Sequence, residues 1–432
     1  MGPEGSLGGV GPGRGVGGVG GVGGAWRAGV PSGSRAAAGE LTMGLRVVVV
    51  DDNPHVRWDG RVHPVNATFH RFLAGILDVP GGPVSSIVHC MPLRDAASPP
   101  PTLPLDPRLE VVGTAPFDGI AGYLRGAPHL VRRNARILRP VIASADLVWI
   151  KVPASNAPLA AWLAWRAGVP RFGYVAGSAR AVARGRGLGL AAQAVGLAWD
   201  LAGRVAGGRH RVVVGEDLLS GRGIVTSLVE PDEIRAVAGA PWPAIPWRLR
   251  LAWAGRLAPG KGLETLLDAL AALAASEPDG HRTELVIIGD GPARADLEAR
   301  GSALGVADRI HWLGYVADRA TYLDALATCD LFVFPSPAEG FPKVILDAMA
   351  VGLPVVAKRS GQVGRLIEAR LIEGAGDTAA DVATSVRALR DADADHLRSR
   401  RDEATAFVSA HTRPAETQRL ADRIGLVARR DR

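Results

Sequence analysis

The stretch Pro337–Ala357, PAEGFPKVILDAMAVGLPVVA, decides how this chain folds. Just before it, CDLFVFPS is a continuous apolar run stopped by Pro335 and Pro337, the pattern of a short buried strand. Within it, Phe341, Val344, Ile345, Ala348 and Met349 recur at helical spacing. Glu339 and Gly340 therefore occupy a strand-to-helix turn, where open α/β sheets place their ligands. A helix that begins there aims unpaired backbone N–H groups at whatever fills the adjoining space. Asp347 follows Glu339 by eight positions, about two helical turns, so both carboxylates can project to one side. Two readings stay open on this spacing: a carboxylate pair facing a ligand, or a capping Glu followed by a solvated Asp.

Strands and helices alternate outward from this stretch, which argues for parallel sheets covered by helices. Toward the N-terminus, strands are expected near 45–51, 84–90, 109–113, 145–151, 171–175 and 211–215. A second series falls near 248–254, 284–289, 309–313, 330–335 and 353–357. Residues 229–247, VEPDEIRAVAGAPWPAIPW, are Pro-rich and poorly periodic and read as a connection. The expected fold is α/β: two Rossmann-like domains, 44–228 and 248–432, facing a cleft. Residues 1–43 are Gly-rich without apolar period and are expected to form a disordered tail. Their GVGGVG matches a dinucleotide fingerprint but has neither a strand before it nor a helix after it. The first strand starts just after Met43, so Met1 and Met43 both stand as candidate starts, and the tail lacks the apolar core of a secretory signal.

Composition narrows the function classes. With 432 residues, 47% hydrophobic and 22% charged, the chain has the make-up of a soluble globular protein of two or three domains. Two cysteines exclude a disulfide framework and fit a reducing, cytoplasmic setting. No Cys/His cluster has metal-ligand spacing, and APLAAWLAW and LGLAAQAVGLAW are too short or too interrupted to span a bilayer. Charge is divided: residues 44–215 hold 20 Arg and Lys against 10 Asp and Glu, whereas 216–432 hold 27 against 31. The excess gathers in HLVRRNARILRP, where Arg132, Arg133, Arg136 and Arg139 share a helical segment with Leu130, Ile137 and Leu138. Such a segment suits a peripheral position on an anionic membrane surface, or is simply a solvated Arg-rich face. No nucleic-acid module is present, so no nucleic-acid partner is expected.

Only four of the 50 basic residues are lysines: 151, 261, 343 and 358. Lys261 lies in LAWAGRLAPGKGLETLLDAL, a strand, a Gly/Pro turn and then a helix with Leu263, Leu266, Leu267 and Leu270 inward. Arg256 and Lys261 flank that turn, and the helix N-terminus adds partial positive charge. Two cations and backbone N–H groups are what a diphosphate needs. The rival is a P-loop: GRLAPGKG matches a Walker A sequence except that Gly262 replaces the Ser/Thr that binds magnesium. DADAD at 391–395 mimics a metal-binding D-x-D but lies in a polar helical tail and reads as solvated surface.

In its C-terminal half the chain resembles the donor domain of GT-B glycosyltransferases, specifically the retaining family four. AGRLAPGKGLETLLDAL, VIIGDGPARADLE, WLGYV and PAEGFPKVILDAMAVGLPVV occur in that family's order, from about residue 248 to 357. The resemblance implies sugar transfer from a nucleotide diphosphate sugar, UDP- or GDP-linked, to a carbohydrate or lipid-linked acceptor with anomeric retention. It implies no further cofactor and no required metal, with work in cell-envelope or polysaccharide biosynthesis. Arg256 and Lys261 would stabilise the departing diphosphate, and Glu339 would contact the sugar. Asp347, one methylene shorter than the family's Glu, would meet the ribose. Gly255, Gly289, Asp290, Gly291, Gly340 and Phe341 would line the donor, with Tyr315 and Val316 near the base.

The N-terminal half departs from the family pattern. The Gly-Gly loop often found after the first strand is replaced by DDNPHVRWDGRVHPVN, in which Asp59, Gly60 and Arg61 are the acceptor-side candidates. His55, His63 and His70 read as ordinary surface residues. A GT-B epimerase and a non-catalytic GT-B binding protein remain as alternatives.

Overall fold

The computed structural model describes residues 44–65, 68–185, 187–216, 223–235, 248–337 and 341–430. The expected disordered tail, most of the expected connection and the Glu339–Gly340 pair lie outside these residues. The first sheet holds β1 (Leu45–Val50), β2 (His55–Trp58), β3 (Arg61–Pro64), β4 (Val84–Asp95), β5 (Glu110–Thr114), β6 (Leu147–Val152), β7 (Arg171–Val175) and β8 (Arg211–Val213). Its order is β3-β2-β4-β1-β6-β7-β8, with β5 beside β4, and every pairing except the β2–β3 hairpin is parallel. Val47–Val50 are buried because helices cover both faces of the sheet, so β1 reads as an unbroken apolar run. One face packs on α1 (Thr68–Leu77); the other meets α2 (Gly119–Ala143) and α3 (Ala157–Ala167), with α4 (Ala179–Gly185) and α5 (Leu190–Ala206) beyond.

The second sheet is wholly parallel. It contains β9 (Arg248–Ala254), β10 (Arg282–Ile288), β11 (Ile310–Gly314), β12 (Leu331–Phe334), β13 (Val355–Lys358) and β14 (Glu373–Ala375), in the order β11-β10-β9-β12-β13-β14. The intervening helices are α6 (Leu263–Ala274), α7 (Arg294–Ala303), α8 (Arg319–Ala327), α9 (Lys343–Ala350) and α10 (Val363–Glu368), followed by α11 (Ala379–Arg390) and α12 (Ala394–Ala410). The last helix, α13 (Arg413–Arg430), packs on α1 of the first half. There Glu416 is fully buried, accepting from Val225 N at 2.9 Å and pairing with His411 and Arg419. One continuous apolar cluster runs from Val47 and Phe72 through Phe334 and Ile345 to Ile424, so the halves share a core.

The expected strands are all present, and two elements are new. β14 was too short to register as a period. The hairpin β2–β3 turns on Asp59 (φ 48) and Gly60 (φ 70), the paired positive φ values of a two-residue Asp-Gly turn. The helix carrying Arg132, Arg133, Arg136 and Arg139 is also informative: those arginines are exposed, while Leu138 and Ile142 are buried against the sheet and Leu130 packs with Ala115 and Tyr123.

Candidate active site

Loops leave the C-terminal edge of the second sheet after β9, β10, β11 and β12, and three of them are laced together through backbone. Gly255 N donates to Ile288 O (3.0 Å), Leu257 N to Asp290 O (3.0 Å), Ala293 N to Leu257 O (3.2 Å) and Gly289 N to Gly314 O (2.8 Å). Gly289 has φ 147, and a Cβ there would stand 1.8 Å from the Gly255 carbonyl oxygen, so only glycine permits this contact. Gly262, with φ 76, is similarly pressed against the Pro335 carbonyl, 2.4 Å from where a Cβ would sit. The glycine spacing in AGRLAPGKG and GDGP is thus set by backbone meeting backbone. Gly262 also precedes α6, whose first N–H groups receive no side-chain cap. Arg256 is exposed and Lys261 half-buried beside that helix end, and Asp290 folds onto its own turn by accepting from Gly291 N at 2.8 Å. Tyr315 (45% exposed) and the half-buried Val316 follow Gly314 at the same edge.

Beyond β12, Phe341 is buried in the shared core, close to Gly215 of the first half. Lys343, the first residue of α9, donates to Thr68 Oγ1 at 2.8 Å and so joins α9 to the first turn of α1. Asp347 is not solvated: it is 4% exposed and accepts from Arg319 (2.8 Å) and Tyr322 (3.2 Å). Arg319 also holds Glu233 through two bonds of 3.0 and 2.8 Å, fastening the 231–233 turn to α8 and α9. Burial pushes the Tyr322 hydroxyl well above its ordinary range, and the Asp347 charge adds to this. Arg319 and Tyr322 went unnoticed in the sequence; their one signal is the i, i+3 spacing behind Asp318, which caps α8.

The first sheet ends in a different kind of site. Val49, His89 and Trp149 share a row of the sheet, and Asp51 and Lys151 extend the same face by one step. Asp51 Oδ2 stands 3.3 Å from His89 Nε2 and 3.6 Å from Lys151 Nζ, and both Asp51 oxygens accept from Asn53. Lys151 also lies 4.0 Å from the centre of the Phe69 ring. Burial would raise the Asp51 carboxyl, but His89 and Lys151 hold it well below the usual carboxylate range. Asp52 points the other way, into the backbone N–H of Ser155 ahead of α3, and burial raises its pKa to about 6. His55, His63 and His70, expected at the surface, are 3%, 6% and 5% exposed. Burial lowers His55 to about 4 and His70 to about 3. Asp59, Gly60 and Arg61 sit apart from this cluster, exposed at the tip of the edge hairpin. The cluster escaped sequence reading because its members come from separate strands; each nonetheless ends or follows an apolar run (VVVVDD, SSIVHC, LVWIKV).

Comparison with known proteins bears on the second half most directly. Residues 248–392 match the family described as Glycosyl transferases group 1. A GDP-mannose-dependent alpha-(1-6)-phosphatidylinositol dimannoside mannosyltransferase of Mycobacterium tuberculosis is 35% identical over 126 residues, 29% of this chain and 31% of that protein. A D-inositol 3-phosphate glycosyltransferase of Jonesia denitrificans is 39% identical over 116 residues, 26% of this chain and 27% of its own length. The chain thus matches about a third or less of these relatives' lengths. In fold the likeness is wider: the Anabaena protein HepE, solved in complex with UDP, superposes with a TM-score of 0.61 over 88% of this chain and 100% of its own, at 16% identity. The chain thus shares the two-sheet GT-B fold of this neighbour, and its residues 248–392 are similar to the Glycosyl transferases group 1 family.

Proposed function

We propose that this protein is a retaining glycosyltransferase that moves a sugar from a UDP- or GDP-linked donor to a carbohydrate or lipid-linked acceptor. The observation that carries the reading is the family match over 248–392, whose motifs fall on backbone-laced loops at one sheet edge. Arg256 and Lys261 flank the turn that leads into α6, and with the uncapped amides of that helix they would meet the diphosphate. As the bond from the anomeric carbon to the diphosphate breaks, negative charge grows on the leaving oxygens, and fixed cations and N–H dipoles stabilise it without reorganising. Glu339 would hold the sugar, with Asp347, in its Arg319–Tyr322 setting, toward the nucleoside. The names of the relatives, one a GDP-mannose-dependent phosphatidylinositol dimannoside mannosyltransferase, support a cell-envelope or polysaccharide role.

The P-loop reading has a physical obstacle. Its magnesium-binding Ser/Thr would have to replace Gly262, where a Cβ would stand 2.4 Å from the Pro335 carbonyl oxygen. A panel of UDP- and GDP-sugars, assayed for nucleotide release and sugar transfer with and without acceptors, tests the proposal. Transfer with the donor's anomeric configuration is the expected outcome, and Glu339→Gln should lower turnover strongly while leaving nucleotide diphosphate affinity intact. Interconversion of the donor sugar without transfer would identify an epimerase. Nucleotide-sugar binding with no turnover would identify a binding protein.

A further inference from the structure

Helix α5 turns its small side inward and its large apolar side to solvent. Its buried residues are Gly196, Gly203 and Ala206. A Cβ on Gly196 would lie 2.8 Å from the Arg180 backbone, and one on Gly203 would lie 3.1 Å from Val152 Cβ, so the helix is seated closely on α4 and the end of β6. On the other side Leu190 (83% exposed), Leu197 (39%), Leu201 (52%) and Val205 (77%) recur at helical spacing and form one stripe. α3, which packs against α5, adds the exposed Trp162 and Trp165. Single exposed apolar side chains are ordinary, but a contiguous stripe on one helix marks an interaction surface.

Charge identifies the occupant. Residues 157–213 contain eight arginines, no lysine and a single acidic residue, Asp200. That carboxylate is occupied within the fold, accepting from Ser178 Oγ at 2.5 Å and Ala179 N at 2.7 Å. Arg166, Arg180, Arg184 and Arg204 are exposed on the same three helices. We infer that this face docks on an anionic lipid bilayer, with α5 lying in the interfacial plane, its apolar stripe among the acyl chains and the arginines at the headgroups. Among the described residues no helix is long and apolar enough to cross a membrane, which fits a helix lying in the surface. A second copy of the chain is disfavoured as occupant because it would bring two arginine-rich faces together. α2 offers little beyond charge: Leu130, Leu138 and Ile142 are buried, and the exposed Leu124 forms no stripe with them.

The test is co-sedimentation with vesicles of phosphatidylcholine alone and of phosphatidylcholine mixed with phosphatidylglycerol. Wild type should bind the mixed vesicles and not the neutral ones. A variant with Leu190→Gln, Leu201→Gln and Val205→Gln should bind at least about tenfold more weakly, because the apolar contribution scales with buried area. These side chains are exposed, so its melting temperature should not change. If this variant does not fold, quenching of wild-type tryptophan fluorescence by bromine-labelled acyl chains decides the matter. Absence of quenching, absence of wild-type binding, or equal binding by the folded variant overturns the inference. A dimer in solution that the variant breaks into monomers, without vesicle binding, assigns the face to a second copy and overturns it equally. None of these readouts depends on catalysis.

Discussion

The two sheets finish in loops built on opposite principles. At the edge of the second sheet the contacts are between backbones: Gly289 against the Gly255 carbonyl, Gly262 against that of Pro335, with Arg256 and Lys261 alongside. At the edge of the first sheet they are between side chains, with Asp51, His89 and Lys151 packed over Phe69 in a nearly dry interior. A backbone-made site tolerates few substitutions and leaves a glycine pattern in the sequence. A side-chain-made site depends on charge balance and leaves no local pattern at all.

The largest expected effect falls on the side-chain-made edge. Lys151→Met removes the lysine cation from a buried pair and leaves Asp51 with only His89 and the Asn53 donors, so it should cost about 3–5 kcal/mol in denaturant unfolding. Adding Asp51→Asn should recover much of that loss; a single variant as stable as wild type would show that the pair is not coupled. On the other edge, Gly262→Ser forces a side chain into a positive-φ position against Pro335 O and should cost roughly 3 kcal/mol, from overpacking and backbone strain together. A stable, active serine variant would remove the backbone account of this loop.

The buried titrating groups of the first half should also show in the pH dependence of stability. His55 and His70 have folded pKa values near 4 and 3, below the ordinary 6.5, so between pH 4 and 6 both are neutral when folded and protonated when unfolded. Their stabilisation is full above pH 6.5 and is lost as pH falls toward their folded values. Asp52, raised to about 6 from an ordinary 3.8, acts in the opposite sense, because the folded state keeps its proton over the same interval. The balance is one proton more on the unfolded chain, so these three groups together should raise stability by about 1.4 kcal/mol per pH unit from pH 4 to 6. In His70→Gln that slope should fall by about one proton's worth, whereas an unchanged slope would mean that His70 does not titrate as described. The smallest effect is expected for a cation at the backbone-made edge: Lys261→Ala should weaken UDP or GDP binding by about 1.5–3 kcal/mol while leaving unfolding unchanged. Calorimetry on both nucleotides measures it, and unchanged affinity would separate Lys261 from the diphosphate.

The contrast between the edges also explains what could be read in advance. β1, β6, β12 and β13 were legible because strands buried on both faces are written as nearly unbroken apolar runs. The hairpin at Asp59–Gly60 carries its own signal, an Asp-Gly between Trp58 and Arg61 with Val56 and Val62 beyond them, and it is a turn, not a ligand loop. Asp347 was legible as a carboxylate on the α9 face but not as the partner of Arg319 and Tyr322, which lie on another helix.

The sequence by itself determined the alternation of elements, the glycine-rich loops of the second sheet and the family resemblance they carry, because local backbone geometry demands particular residues at fixed spacing. Tertiary structure alone decided that three histidines are buried, that Asp51 meets Lys151, that Arg319 bridges Glu233 and Asp347, and that α5 faces outward with its apolar stripe. The physical reason is the same in each case. Register brings strands about a hundred residues apart into one row, and packing chooses which side of a helix is covered. Neither choice is written within the segment that it governs.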